Sequence, residues 1–134
     1  MNRKFLRKLY KALLILAAGL WLSLGQKGWA IPFSNQLPGN GQWVSGTPST
    51  APTYTGVLGS ATLTVSAPTG ILWGSAAPNI TNVPGSAPGF NIGQSATLTI
   101  NGGFPVLNVD VTGNPSYIMG SLTAAASTPV FVAN

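Results

Sequence analysis

The sequence predicts an all-β domain behind an N-terminal leader, and three observations carry that prediction. Apolar and small polar residues alternate with period two: Ala96, Leu98 and Ile100 against Thr97 and Thr99, then Leu107, Val109 and Val111 against Asn108 and Asp110. Each run therefore has one apolar face, expected inward, and one polar face. Glycine and proline break the runs at Gly102-Gly103, Gly113-Asn114-Pro115 and Gly120, where the chain needs a positive or a fixed φ. No helical period follows the leader. Short strands of this kind leave three architectures open: a parallel β-helix, a sandwich and a small barrel.

The leader comes first. The 134-residue chain has a formal net charge of +5, a balance that by itself points to nucleic acid. Position removes that meaning. Arg3, Lys4, Arg7, Lys8, Lys11 and Lys27 are all of its basic residues, and every one precedes Ala30. With the apolar stretch Ala12–Gly25 and the small-residue end Gly28-Trp29-Ala30, they compose the three parts of a secretory signal. The apolar stretch is shorter than the ~20 residues of a spanning helix. Cleavage after Ala30 is expected, with no membrane span left behind. Residues 1–30 then form the signal and 31–134 a single domain.

Beyond Ala30 the only charge is Asp110. That leaves no footprint for phosphate backbones, so nucleic acid is not an expected partner. Disorder is not expected either, because it goes with low hydrophobicity and high charge. The chain has no cysteine, so stability must come from strand stacking or from partners.

Residues 31–52 are rich in Pro, Gly, Ser and Asn and hold one strand around Gln42-Trp43-Val44. Tyr54–Leu58 and Ala61–Val65 form a pair of strands broken by Gly59. Ile71-Leu72-Trp73, between Gly70 and Gly74, reads as a buried strand. Ala76–Gly89 contains Pro78, Pro84, Pro88 and Gly85, and reads as a surface loop. The two alternating runs follow, then strands in Tyr117–Leu122 and Pro129–Ala133. The hexapeptide S-A-T-L-T-V from Ser60 returns as S-A-T-L-T-I from Ser95, 35 residues on. Either chance in a Ser/Thr/Ala-rich chain or two equivalent strands in a stack accounts for the echo.

A family resemblance rests on four pieces in order: F-N-I-G (Phe90–Gly93), the alternating strands, V-T-G-N-P-S (Val111–Ser116), and Gly120-Ser121-Leu122 with Val130-Phe131-Val132. This order resembles the secretion domain of two-partner-secretion exoproteins, the filamentous-haemagglutinin-type domain at the front of large bacterial adhesins. L-P-G-N-G-Q-W-V-S-G (Leu37–Gly46) is similar to that domain's opening, so the resemblance covers Leu37–Asn134. The family continues past V-F-V-x-N into a Pro-Asn-Gly turn, whereas this sequence stops at Asn134. A second Asn-Pro-Asn turn of the family has no counterpart. The resemblance thus implies a domain truncated at its C-terminal end. It also implies a right-handed parallel β-helix with N-terminal capping strands, a small β-sandwich being the alternative. Proline-rich early segments suit a cap, because proline blunts a sheet edge.

The inventory of reactive groups is nearly empty. Residues 31–134 hold no His, Cys, Lys, Arg or Glu, so a serine nucleophile has no base and paired-carboxylate hydrolysis has no second acid. Zinc lacks ligands. Calcium on Asp110 and asparagine carbonyls is the one metal chemistry left open, beside the simpler expectation of an outward or turn-facing Asp110. No enzyme activity, cofactor or metal is expected. Trp43 and Trp73 could form a sugar platform, but burial is the stronger expectation. Asn79-Ile80-Thr81 matches the glycosylation pattern and reads as chance. Asn91, Asn101, Asn108 and Asn114 are expected to satisfy backbone groups at turns.

The resemblance implies a non-enzymatic export module, delivered by the general secretory machinery and recognised in the periplasm by an outer-membrane translocator. Release to the cell surface or medium follows. Phe90, Asn91, Ile92 and Gly93, with the turn Gly113-Asn114-Pro115, are the residues expected to carry recognition or the key turns. β-Augmentation of open strand edges offers a physical route. The rival reading is a self-associating surface or biofilm protein whose exposed coil edges stack on one another. A small outer-membrane barrel is disfavoured by short, proline-broken strands and missing aromatic girdles.

Overall fold

The computed structural model describes residues 31–134 and, ahead of them, only Arg3, Arg7, Lys8, Tyr10 and Lys11; the expected processing point at Ala30 lies outside the described residues. Residues 31–134 are all-β. Ten strands follow one another: β1 (Leu37–Gly39), β2 (Gln42–Trp43), β3 (Thr53–Val57), β4 (Ser60–Thr64), β5 (Thr69–Trp73), β6 (Ser86–Pro88), β7 (Thr97–Asn101), β8 (Val106–Asp110), β9 (Ser121–Ala124) and β10 (Val130–Ala133). A 3-10 turn at Pro48–Thr50 is the one helical piece among them.

These strands form three open sheets, ordered β3-β4-β7-β9, β2-β5-β8-β10 and β1-β6. No sheet closes into a barrel. In both larger sheets the later strands are parallel. β4 meets β7 from Ser60 opposite Thr97, and β5 meets β8 from Thr69 opposite Val106. The displacement is 37 residues in both. β7 meets β9, and β8 meets β10, with a displacement of 24 residues in both. The chain therefore makes matching circuits through the two sheets. The earliest strands run the other way: β3 is antiparallel on β4 and β2 antiparallel on β5. Gly59, at φ +77°, makes the tight β3–β4 turn that a side chain would strain.

The repeated hexapeptides do lie side by side, in β4 and β7, but not in the register of their echo. Ala61 faces Leu98 and Leu63 faces Ile100, a slip of two residues from the 35-residue match. Side chains alternate with period two, so this slip keeps each one on its face.

The core runs between the sheets. Ala61, Leu63, Leu98 and Ile100 point inward from one large sheet, and Ile71, Trp73 and Val106 from the other. Each large apolar side chain buried there stabilises the fold by about 2 kcal/mol. Phe90, Ile92 and Leu37 fill the remaining side.

Three expectations need correction. β1 and β6 were not expected as strands, because Pro38 and Pro88 remove ladder donors; they survive by pairing only with each other. Ala76–Gly89 is more than a surface loop, since Ile80 and Val83 are buried and β6 lies within it. β8 is turned over. Val106, Asn108 and Asp110 point inward while Leu107, 45% exposed, points to solvent with Phe131, 57% exposed. The reason is the polar demand of the core. Trp73 Nε1 is buried and donates to Asn108 Oδ1 at 2.9 Å, the acceptor that a buried indole N–H usually finds.

Candidate functional site

Phe90–Gly93 and Gly113–Pro115 are separated in sequence by β7 and β8, and Asp110 ties them together. It ends β8, 4% exposed. Its Oδ2 accepts the Phe90 N–H at 2.8 Å, and its Oδ1 accepts the Thr112 N–H at 2.9 Å and the Thr112 hydroxyl at 2.6 Å. The Ser116 hydroxyl reaches Oδ2 at 3.3 Å. With the Asn134 amide nitrogen turned toward Ser116 Oγ at 2.7 Å, the Ser116 proton is left for Asp110. Every neighbour is a donor, which suits an acceptor-only carboxylate. Burying it is tolerated because hydrogen bonds replace its water. Of the expectation for Asp110, the outward arm is overturned by its burial and the demand for an acceptor at Phe90, while its bonds to Thr112 and Ser116 do make it face the turn after β8.

Each residue of F-N-I-G has a separate task. The Phe90 ring is buried 6.0 Å from that of Trp73, which meets Tyr54 edge-on at 5.4 Å. Burial raises the pKa of the Tyr54 phenol, a hydrogen bond with Ser86 offsetting part of the effect; the phenol donates to Pro38 O at 3.0 Å. Asn91 Oδ1 accepts the Tyr117 N–H at 2.8 Å, the backbone service expected of a turn asparagine. Ile92 is buried, and its N–H donates to Tyr117 O at 2.8 Å. Gly93 donates to Gln36 O at 2.9 Å. A Cβ there would run into the carbonyl oxygens of Phe33 and Ser34, so the position requires glycine.

The corner that follows has Gly113 at φ +76° with open space around it. Contrary to expectation, the Asn114 side chain does not close this corner. Its N–H donates to Thr112 Oγ1 at 3.2 Å instead, and its exposed amide makes no hydrogen bond among the described residues. Thr112 takes over because Asp110 fixes its hydroxyl. A hydroxyl two residues beyond an aspartate is a local signal for such a knot.

Asn91, Asn114, Pro115 and Tyr117 line a cleft of about 400 Å³, with Gln36 and Pro88 opposite. A second hollow of about 350 Å³ lies across the corner, beside Asp110 and Asn134. Asn114 and Pro115 line both and stand between them. Gln36, 8% exposed, gave no sequence signal; a lone glutamine in a Pro/Gly-rich stretch marks nothing until Gly93 packs on it.

No sugar platform forms from the tryptophans: Trp73 is fully buried and Trp43 packs against the core. No helix among the described residues is long and apolar enough to cross a membrane. Comparison with family models, curated proteins and solved structures gives no match.

Proposed function

We propose that residues 31–134 are the export module of a two-partner-secretion exoprotein, folded as a right-handed parallel β-helix capped by β2 and β3. In this reading the general secretory machinery delivers the chain, the signal is removed after Ala30, and an outer-membrane translocator recognises the module in the periplasm. The product reaches the cell surface or medium. The equal displacements in the two large sheets, with antiparallel strands only at their early edges, support the helix. The module performs no catalysis and carries no cofactor; Asp110 holds structure.

One observation carries the functional reading: two motif stretches distant in sequence share one buried carboxylate and flank one cleft. Asn114→Ile tests it, with folding and secretion measured in parallel. The expected variant keeps its melting temperature and stays in the periplasm. Normal secretion of a folded variant would remove the corner from the reading.

A second reading is favoured by the late edges. β9 and β10 each pair on one side only and carry no charged residue, the condition under which sheet edges associate. Fibres from purified protein, with secretion independent of any translocator, would favour it.

A further inference from the structure

The sheet β1-β6 stops at two strands where the others reach four. The displacement that bridges Ile92 to Ile118 carries Ser86–Pro88 onto Thr112–Asn114, yet those residues form no ladder with β6. Pro88 has no N–H to offer there, and the Gly113 turn bends the chain away. The cleft occupies the resulting gap, along β6 at Ala87 and Pro88.

Building on the export reading, we propose that this cleft binds an extended, uncharged segment of the translocator polypeptide, lying where a third strand of the β1-β6 sheet is missing. Three features define the occupant. Among the described residues, no charged side chain lines the cleft. Its apolar walls include Phe33, Pro88, Pro115 and Tyr117, surfaces that take proline or aliphatic side chains of an extended peptide. Its polar side chains are the primary amides of Gln36, Asn91 and Asn114 beside the hydroxyls of Thr112 and Tyr117. Gln36 is buried, its Oε1 accepts the Phe33 N–H at 3.3 Å, and its Nε2 has no partner among the described residues. The Asn114 amide is likewise unpartnered among the described residues.

Amides read peptide backbone elsewhere in this molecule. Asn79 Oδ1 accepts the Trp43 N–H at 2.7 Å while its Nδ2 donates to Trp43 O at 3.0 Å, so one side chain serves both backbone groups of a strand edge. Asn82 Oδ1 accepts the Asn40 N–H at 2.8 Å, while its Nδ2 donates to the Asn40 side-chain oxygen at 3.0 Å. This repeated chemistry favours a peptide over a sugar as the occupant.

The test is an NMR titration of the purified full chain with a capped peptide of alternating threonine, leucine and proline. The same peptide with lysine in place of leucine and maltotriose serve as comparisons. The uncharged peptide is expected to shift the side-chain amide signals of Gln36, Asn91 and Asn114 and to bind more tightly than the lysine peptide. Asn114→Ala is expected to weaken it about fivefold, the loss of one hydrogen bond, at unchanged melting temperature. No shift at these amides, a preference for maltotriose, or full affinity in Asn114→Ala overturns the proposal. Peptide binding with normal secretion of Asn114→Ile keeps the cleft and removes the export reading. Secretion lost without peptide binding does the reverse.

Discussion

The two four-stranded sheets are built from alternating strands, and they part company at β8. In β3-β4-β7-β9 the apolar residues of β4 and β7 point inward and threonines point out, Thr62 lying opposite Thr99 and Thr99 opposite Thr123. In β2-β5-β8-β10 the β8 strand points Asn108 and Asp110 inward beside Val106 and leaves Leu107 outside, next to Phe131 of β10. Alternation fixes that a strand has two faces, but not which face is buried. In the first sheet hydrophobicity decides. In the second, two buried donors decide: the Trp73 indole and the Phe90 N–H.

Removing the acceptors breaks this comparison most sharply. Asp110→Ala leaves the N–H groups of Phe90 and Thr112 without an acceptor and is expected to lower stability by about 4 kcal/mol, read by chemical denaturation. An outward Asp110 would lose almost nothing. Asn108→Leu is next. It makes β8 more hydrophobic yet orphans Trp73 Nε1, so a loss of about 2 kcal/mol is expected; a gain in stability would mean that hydrophobicity orients this sheet as well.

Alkaline pH sharpens the comparison through the first sheet, where β3 buries Tyr54. Burial raises its folded pKa above the ordinary value of 10.0, so the folded state resists losing the proton. The stability this provides is fully present below pH ~10 and declines as pH rises above the unfolded value. Unfolding free energy is expected to fall above that point, with a shallower fall in Tyr54→Phe. Smallest are the outward substitutions: Thr99→Val and Leu107→Thr are each expected to change stability by no more than about 0.5 kcal/mol. A larger loss from Leu107→Thr would place that side chain inside.

The sequence made most strands legible, because clear alternation at β4 and β7 and the short apolar run of β5 each adjoin a glycine, Gly59, Gly102 and Gly74. It hid β1 and β6, whose prolines argue against strands and whose pairing depends on Leu37 meeting Ser86 across the fold. The register of β4 on β7 was also hidden, since a two-residue slip leaves both hexapeptides equally well buried. For the site, Phe90–Gly93 and Gly113–Pro115 could be picked out separately. Their meeting could not, because it is made by one aspartate whose strand is turned over. Gln36 and the amide of Asn79 act through contacts that only the folded chain creates.

The central claim is that Asp110 joins the two motif stretches into one site. Amide hydrogen exchange in Asp110→Asn tests it most directly, since an amide in place of the carboxylate cannot accept from both sides. The account predicts that the Phe90 and Thr112 N–H groups are slow to exchange in the unaltered protein. In the variant, at least one of them loses protection while Leu98 and Ile100 keep theirs. Unchanged protection of both Phe90 and Thr112 would contradict it.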